Sequence, residues 1–241
     1  MNNSICILLI ATLMLSFKEK PKKSKSLVLS KNVSTNMYGK GVMDIDGNLY
    51  KTVVIGKQEW MAENLKVSKY NDGTAIPNLS DEIEWQNNTT GAWCYYNNDN
   101  SNNATYGKLY NWYTIDVTQN DMKFVCPAGW HVPSSEEWTI LIDYLGGDTL
   151  AGGKMKEVGF QNWSQPNSYA SNTSLFTALP SGYRNEEGKF KKTLGKGVFW
   201  WAFSEKDTYK ANLRFVSCTD NEVFNRCFKK ESGLSIRCLK N

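Results

Sequence analysis

The sequence predicts an α+β domain in which antiparallel strands carry two main helices, and three observations point that way. Residues 126–138 run from an irregular, proline-bracketed segment straight into a helix start. Closely spaced strand and turn patterns fill the last quarter of the chain, as in an antiparallel sheet. Nine tryptophans, twelve tyrosines and ten phenylalanines suit a loop-rich fold pinned by large side chains. At 241 residues the chain is long enough for one large domain with a real core.

The central helix has the clearest signal. Ser134 is a good N-cap, and Glu137 three residues later can reach back to the cap's own N–H. Trp138, Leu141, Ile142 and Leu145 then form one apolar stripe, and Gly146-Gly147 ends the helix. A second helix is expected from Thr105, because Tyr106, Leu109, Tyr110 and Tyr113 repeat the same spacing. Core packing is the reading of that aromatic stripe.

Strands follow from turns. Asp46-Gly47 marks a hairpin between Val42–Ile45 and Leu49–Ile55, and Gly56-Lys57 starts the next reversal. Asn71-Asp72-Gly73 is a further turn, and Gly91–Tyr96 is a short aromatic strand. Residues 146–176, rich in Gly, Asn and Ser, read as a long loop. Beyond it come Phe176–Tyr183, the Asn185–Gly188 turn, Lys189–Leu194 and Val198–Phe203. Asn212–Cys218 and Val223–Phe228 flank a two-residue loop at Asp220-Asn221, and Leu234–Leu239 closes the sheet.

The formal charge of +4 is local: residues 18–25 hold five lysines against one glutamate, and the remainder is balanced. No basic field is left to grip a phosphate backbone, which argues against nucleic acid as a partner. Ile5–Phe17 is an apolar run of 13 residues, the length of a signal-peptide core and short for a membrane span. No basic residue precedes it, and no small-x-small cleavage site follows. Residues 1–17 are therefore expected to be a signal peptide or an uncleaved anchor, the chain's one membrane contact. Residues 18–40 read as a basic polar linker and 41–241 as the domain.

Few residues carry chemistry. His131 is the single histidine, so no paired-histidine metal site exists, and its apolar neighbours make it a packed residue with a backbone hydrogen bond. Glu136-Glu137 and Glu186-Glu187 are paired carboxylates, but adjacent helix positions point apart and Glu137 has the capping task. Asn97, Asn98 and Asp99 offer oxygen ligands for Ca²⁺, a candidate cofactor. Trp200 and Trp201 face opposite sides of a strand, so one is free to stack on a sugar ring if the sheet has a wet face.

Several blocks carry a resemblance. They are Cys126-Pro127-Ala128-Gly129-Trp130-His131-Val132-Pro133 with Trp138, Gln58–Leu65, Tyr95–Asp99, Ala104–Tyr113, Ala178–Arg184 and Gly233–Cys238. In that order they resemble the Fibrobacter succinogenes major paralogous domain family over roughly residues 41–241. The resemblance implies a C-type-lectin-like fold in the variant of sulfatase-modifying, formylglycine-generating enzymes, and a bacterial extracytoplasmic location. It implies a Cys126–Cys238 disulfide, and it adds Arg184 to the ligand-binding candidates. The resemblance brings no established activity; the Asn97–Asp99 and Trp200-Trp201 features lead to the expected function, a secreted or surface-associated non-catalytic domain that binds a glycan or another envelope protein. The alternative is a copper-dependent formylglycine-type enzyme using Cys218 and Cys227. Against a Cys218–Cys227 disulfide stands the expected hairpin, which sets Cys227 four residues, roughly 13 Å, beyond the partner of Cys218. If Cys6 leaves with a signal peptide, five cysteines remain and at least one is unpaired.

Overall fold

The computed structural model describes residues 37–241. The expected signal segment, Cys6 and most of the linker lie outside the described residues. The linker's last residues belong to the domain, because Val54 N donates to Met37 O (2.7 Å) and Gly39 N to Thr52 O (2.9 Å).

In chain order the first half contains β1 (Val42–Met43), β2 (Leu49–Tyr50), β3 (Thr52–Ile55), β4 (Gln58–Met61), α1 (Glu82–Asn87), β5 (Trp93–Cys94), α2 (Asn102–Tyr106) and β6 (Leu109–Tyr110). The second half contains β7 (Trp130–His131), α3 (Ser135–Tyr144), α4 (Asp148–Met155), β8 (Gly197–Glu205), β9 (Lys210–Ser217), β10 (Val223–Lys229) and β11 (Leu239–Lys240). Antiparallel sheets of order β3-β4-β11-β7 and β10-β9-β8 form the frame, with β1-β2 and β5-β6 as separate ribbons. The architecture is α+β.

Helix α3 forms as its spacing dictates. Ser134 Oγ accepts from Glu137 N (3.2 Å) while Glu137 Oε2 accepts from Ser134 N (2.9 Å). Trp138, Leu141, Ile142 and Leu145 are buried against Trp60, Phe176 and Trp200. The rings of Trp60 and Trp200 lie 4.7 and 5.5 Å from that of Trp138.

Three expectations are corrected. The aromatic stripe at 106–113 is not one helix: α2 ends at Tyr106, and Leu109-Tyr110 is a strand. Gly107 breaks it at φ 75°, where a Cβ would lie 2.7 Å from Leu65 O. The loop at 146–176 begins with α4, whose Gly152 lets the helix approach the backbone of Asn221 and Glu222. The stretches 176–183 and 189–194 make only isolated bridges, Lys156 with Ala178, Ser181 with Leu194, Gly182 with Val198 and Arg184 with Phe190.

The Cys126–Cys238 disulfide is present, with Cα atoms 6.0 Å apart. It ties the segment before β7 to the segment before β11, which enters the sheet between β4 and β7. Cys94, Cys218 and Cys227 are free. The β9–β10 register is two residues off the expected one: Val223 pairs with Val216 and Cys227 with Asn212. Cys218 and Cys227 are thus separated by six residues of strand, roughly 20 Å, out of reach of a disulfide or of one copper ion.

Buried cations are a recurring device. Arg237 is fully buried, with its guanidinium 4.2 Å from the Phe176 ring and 5.5 Å from Trp200. It donates to Asn64 Oδ1 (2.9 Å from Nη2) and to Phe176 O. Burial lowers its pKa to about 9. Lys156 Nζ donates to the carbonyls of Ser168, Ser217 and Asp220 at 2.8, 2.9 and 2.6 Å. Lys108 sits over Trp93 (4.4 Å) and Lys230 over Trp112 (4.5 Å). Backbone carbonyls and ring faces thus surround these charges in a loop-rich interior.

Candidate functional site

The residues expected to touch a ligand hold the frame instead. Trp200 and Trp201 are both fully buried, because β8 has no wet face. Trp200 packs on Trp138 and donates from Nε1 to Asn64 Oδ1 (2.8 Å), while Trp201 donates to Tyr110 O (2.8 Å) in the other layer. Neither offers a ring to a sugar.

Arg184 is likewise fully buried. Its guanidinium lies 4.5 Å from the Trp85 ring and donates to the carbonyls of Gly188, Leu79, Ser80 and Asp81 at 2.6–3.0 Å. Four of its five N–H groups are spent on these carbonyls and the side chain is shut off from solvent, so it is a support of the fold and not a surface contact.

Asn97, Asn98 and Asp99 build a turn. Asn97 and Asn98 adopt φ of 53° and 55°, Asn98 Nδ2 donates to Ser80 O, and Asp99 Oδ1 accepts from Ser101 N (2.9 Å). That backbone bond holds the Asp99 carboxyl below its usual range. The turn is what these side chains serve, and Asp99 is the one carboxylate among them.

His131 departs from the expected backbone bond. Nε2 meets the Glu137 carboxylate at 2.9 and 3.0 Å, and Nδ1 meets Asn241 Oδ1 at 2.7 Å. It borders an apolar groove of about 250 Å³ lined mainly by Ile115, Met122, Phe124, Trp130, Val132 and Phe203.

The residues that do converge on solvent lie around Glu186 and Glu187. The Arg184 cluster fixes their loop from beneath: Gly188 O accepts from Arg184 Nε, and Lys189 N donates to Asn185 Oδ1 (2.7 Å). Glu186 and Glu187 then stand outward beside Lys229, with Lys229 Nζ 4.0 Å from Glu186 Oε1. On one side of this wall a cavity of about 440 Å³ is lined by Tyr183, Asn185, Lys191, Lys210, Cys227 and Phe228. On the other side one of about 370 Å³ is lined by Gln86, Tyr209 and Glu231. Together they form a two-lobed polar cleft.

Two details shape its chemistry. Asp207 Oδ1 accepts from Tyr209 N and Lys210 N (2.9 Å each), a hairpin tip that leaves Tyr209 73% exposed. Glu231 Oε1 accepts from Tyr113 OH (2.9 Å), and burial with this carboxylate raises the phenol's pKa. Glu231 Oε2 is buried and has no protein donor. The cleft thus presents carboxylate acceptors, ammonium and amide donors, and aromatic faces.

Sequence reasoning weighed Glu186-Glu187 only as a catalytic pair and passed over Tyr209. The available sign was the polar run Lys206–Lys210 between two strand patterns, which places Tyr209 at a hairpin tip.

This architecture defines a disulfide-stapled, aromatic-rich α+β domain built mostly from antiparallel sheets. The chain belongs to the Fibrobacter succinogenes major domain family, whose model matches residues 53–240. No curated protein and no solved structure matches it.

Proposed function

We propose that the chain is a secreted or surface-associated, non-catalytic domain that holds a glycan in the two-lobed cleft. The observation that carries this reading is the pair of polar lobes on either side of Glu186 and Glu187, one of them lined by Glu231 and by Tyr209, whose ring is exposed. A sugar hydroxyl would donate to the exposed Glu187 carboxylate, which borders both lobes, and the tyrosine would stack on the apolar face of a ring. Lysines and amides on the far side of the wall would donate to further hydroxyls and ring oxygens.

A lectin-like scaffold is part of the proposal. It is supported by the central placement of β11, by the staple across Cys126 and Cys238, and by the long segment 156–196 between the helices and β8. A disulfide persists in an oxidising compartment, which supports an extracytoplasmic location.

Calorimetric titration with bacterial envelope polysaccharides tests the reading. Saturable binding is expected, weakened about tenfold by Tyr209→Ala and by Glu187→Gln. Binding that neither variant changes would move the site elsewhere. Absence of glycan binding beside saturable binding of an envelope protein would replace the ligand class.

A further inference from the structure

Charge divides the two lobes of the cleft. The β9–β10 register sets Lys210 directly opposite Lys229, and like charges so placed work against an antiparallel pair. Both side chains are exposed, and the exposed Lys191 lines the same cavity. The carboxylates nearby are already engaged. Glu187 lies 3.5 Å from Lys189 Nζ, Glu205 accepts from Lys230 Nζ, and Asp207 Oδ1 accepts from two backbone N–H groups of its own hairpin. Glu186 reaches Lys229 only at 4.0 Å. Among the described residues neither Lys191 nor Lys210 has a carboxylate within that distance.

The backbone fixes where these lysines stand. Lys191 O accepts from Tyr96 OH and from Thr193 N, while Lys210 N donates to Asp207 and Lys210 O accepts from Lys206 N. Tyr183 and Phe228, with ring centroids 5.3 Å apart, give the same lobe an aromatic wall. Ammonium groups without a countercharge, set beside aromatic rings, suit a sugar ring that carries a negative charge. The second lobe has the opposite balance, with Glu231, Glu186 and Glu187 against Lys229 alone. It repels an anion and accepts from hydroxyl groups.

We propose that the ligand is an acidic glycan, with the sugar that bears the anion in the lysine lobe and a neutral sugar beside Tyr209 and Glu231. The inference rests on the glycan reading of the cleft and narrows its ligand class. An anion held between Lys210 and Lys229 relieves the repulsion that their pairing carries, so binding stabilises the hairpin end.

The test titrates the full chain calorimetrically with polygalacturonate, alginate and hyaluronan, each beside its carboxyl-reduced neutral form, and with dextran sulfate. At least one acidic polymer is expected to bind at least about tenfold tighter than a neutral one, and the excess is expected to shrink as salt rises. The double variant Lys191→Gln, Lys210→Gln alters two exposed side chains. It is expected to weaken that binding about fivefold and to leave the thermal unfolding curve in place. Such a loss confined to dextran sulfate would name a sulfate as the anion, and one confined to the other polymers a carboxylate. Acidic binding that the double variant retains in full, as the lysines at 18–25 would give, overturns the proposal. Neutral polymers that bind as tightly as the acidic ones and are weakened by Tyr209→Ala also overturn it, and the glycan reading then stands. Absence of binding by every polymer, acidic and neutral, overturns both.

Discussion

Asn64 is the point at which the interior can be broken with one small change. It is 4% exposed, and its Oδ1 accepts from Trp200 Nε1 at 2.8 Å and from Arg237 Nη2 and Nε at 2.9 and 3.3 Å. Its Nδ2 donates to Tyr106 O (3.0 Å). Asn64→Leu keeps the volume and removes the acceptor, leaving one indole N–H and two guanidinium N–H groups buried without it. An orphaned buried donor costs about 1–3 kcal/mol, and more for a charged one. With no carboxylate bonded to Arg237, the total comes to roughly 4–7 kcal/mol. Domains of this kind are stable by only about 5–15 kcal/mol, so the variant is expected to be mostly unfolded or close to it at 37 °C. Urea unfolding followed by tryptophan fluorescence and by far-ultraviolet circular dichroism measures the loss. Asn64→Asp keeps an acceptor and adds a countercharge for Arg237, and it is expected to lose less than half as much. A loss below about 1 kcal/mol for Asn64→Leu would refute the hub, because water or a shifted side chain would then be serving those donors.

Peptide mapping without reduction is expected to recover the Cys126–Cys238 link, with Cys94, Cys218 and Cys227 as free thiols. Reducing a loop with a sequence separation of 112 should cost on the order of 4–5 kcal/mol, read as a lower urea midpoint. Burial lowers the Lys156 pKa to about 8 from 10.5. Below pH 8 both folded and unfolded chains are protonated there and the fold carries the full cost. Above it the folded state loses the proton first, so stability should rise by on the order of 2–3 kcal/mol between pH 8 and 10.5. Lys156→Met is expected to remove that slope in a pH series of unfolding curves. Gly152→Ala would place a Cβ 2.6 Å from Asn221 O, and it should destabilise by about 1–3 kcal/mol despite alanine's better helix propensity.

The central helix was legible because every local signal agreed: the cap, the capping box and the stripe at Trp138, Leu141, Ile142 and Leu145. The aromatic stripe from Tyr106 misled for a physical reason. A turn, Gly107 and a two-residue strand bury Leu109 and Tyr110 as well as a helix would, so spacing alone could not separate the two. Helix α4 was hidden because Gly152-Gly153 reads as a breaker, whereas in the fold the missing Cβ atoms let the helix touch the Asn221 loop. The site was least legible. Arg184, Trp200 and Trp201 looked like ligand contacts, yet all three are fully buried and hold the interior together. Arg184 holds the turn that raises Glu186 and Glu187. Sequence order cannot tell a support from the group it supports, because both sit in the same block.

The central position of Leu239 has a consequence for how the protein is made. That residue pairs with Trp60 on one side and His131 on the other, so β4 and β7 have no common neighbour until residue 239 has been synthesised. Everything upstream emerges with its principal sheet divided, and contacts of such long sequence separation form slowly. The chain should therefore stay pliant until its last residues are made. Shortening it by three residues should do more harm than deleting a whole surface loop. A pulse-labelled, protease-challenged synthesis would show protection arriving abruptly once residue 239 clears the exit, with no gradual accumulation before it.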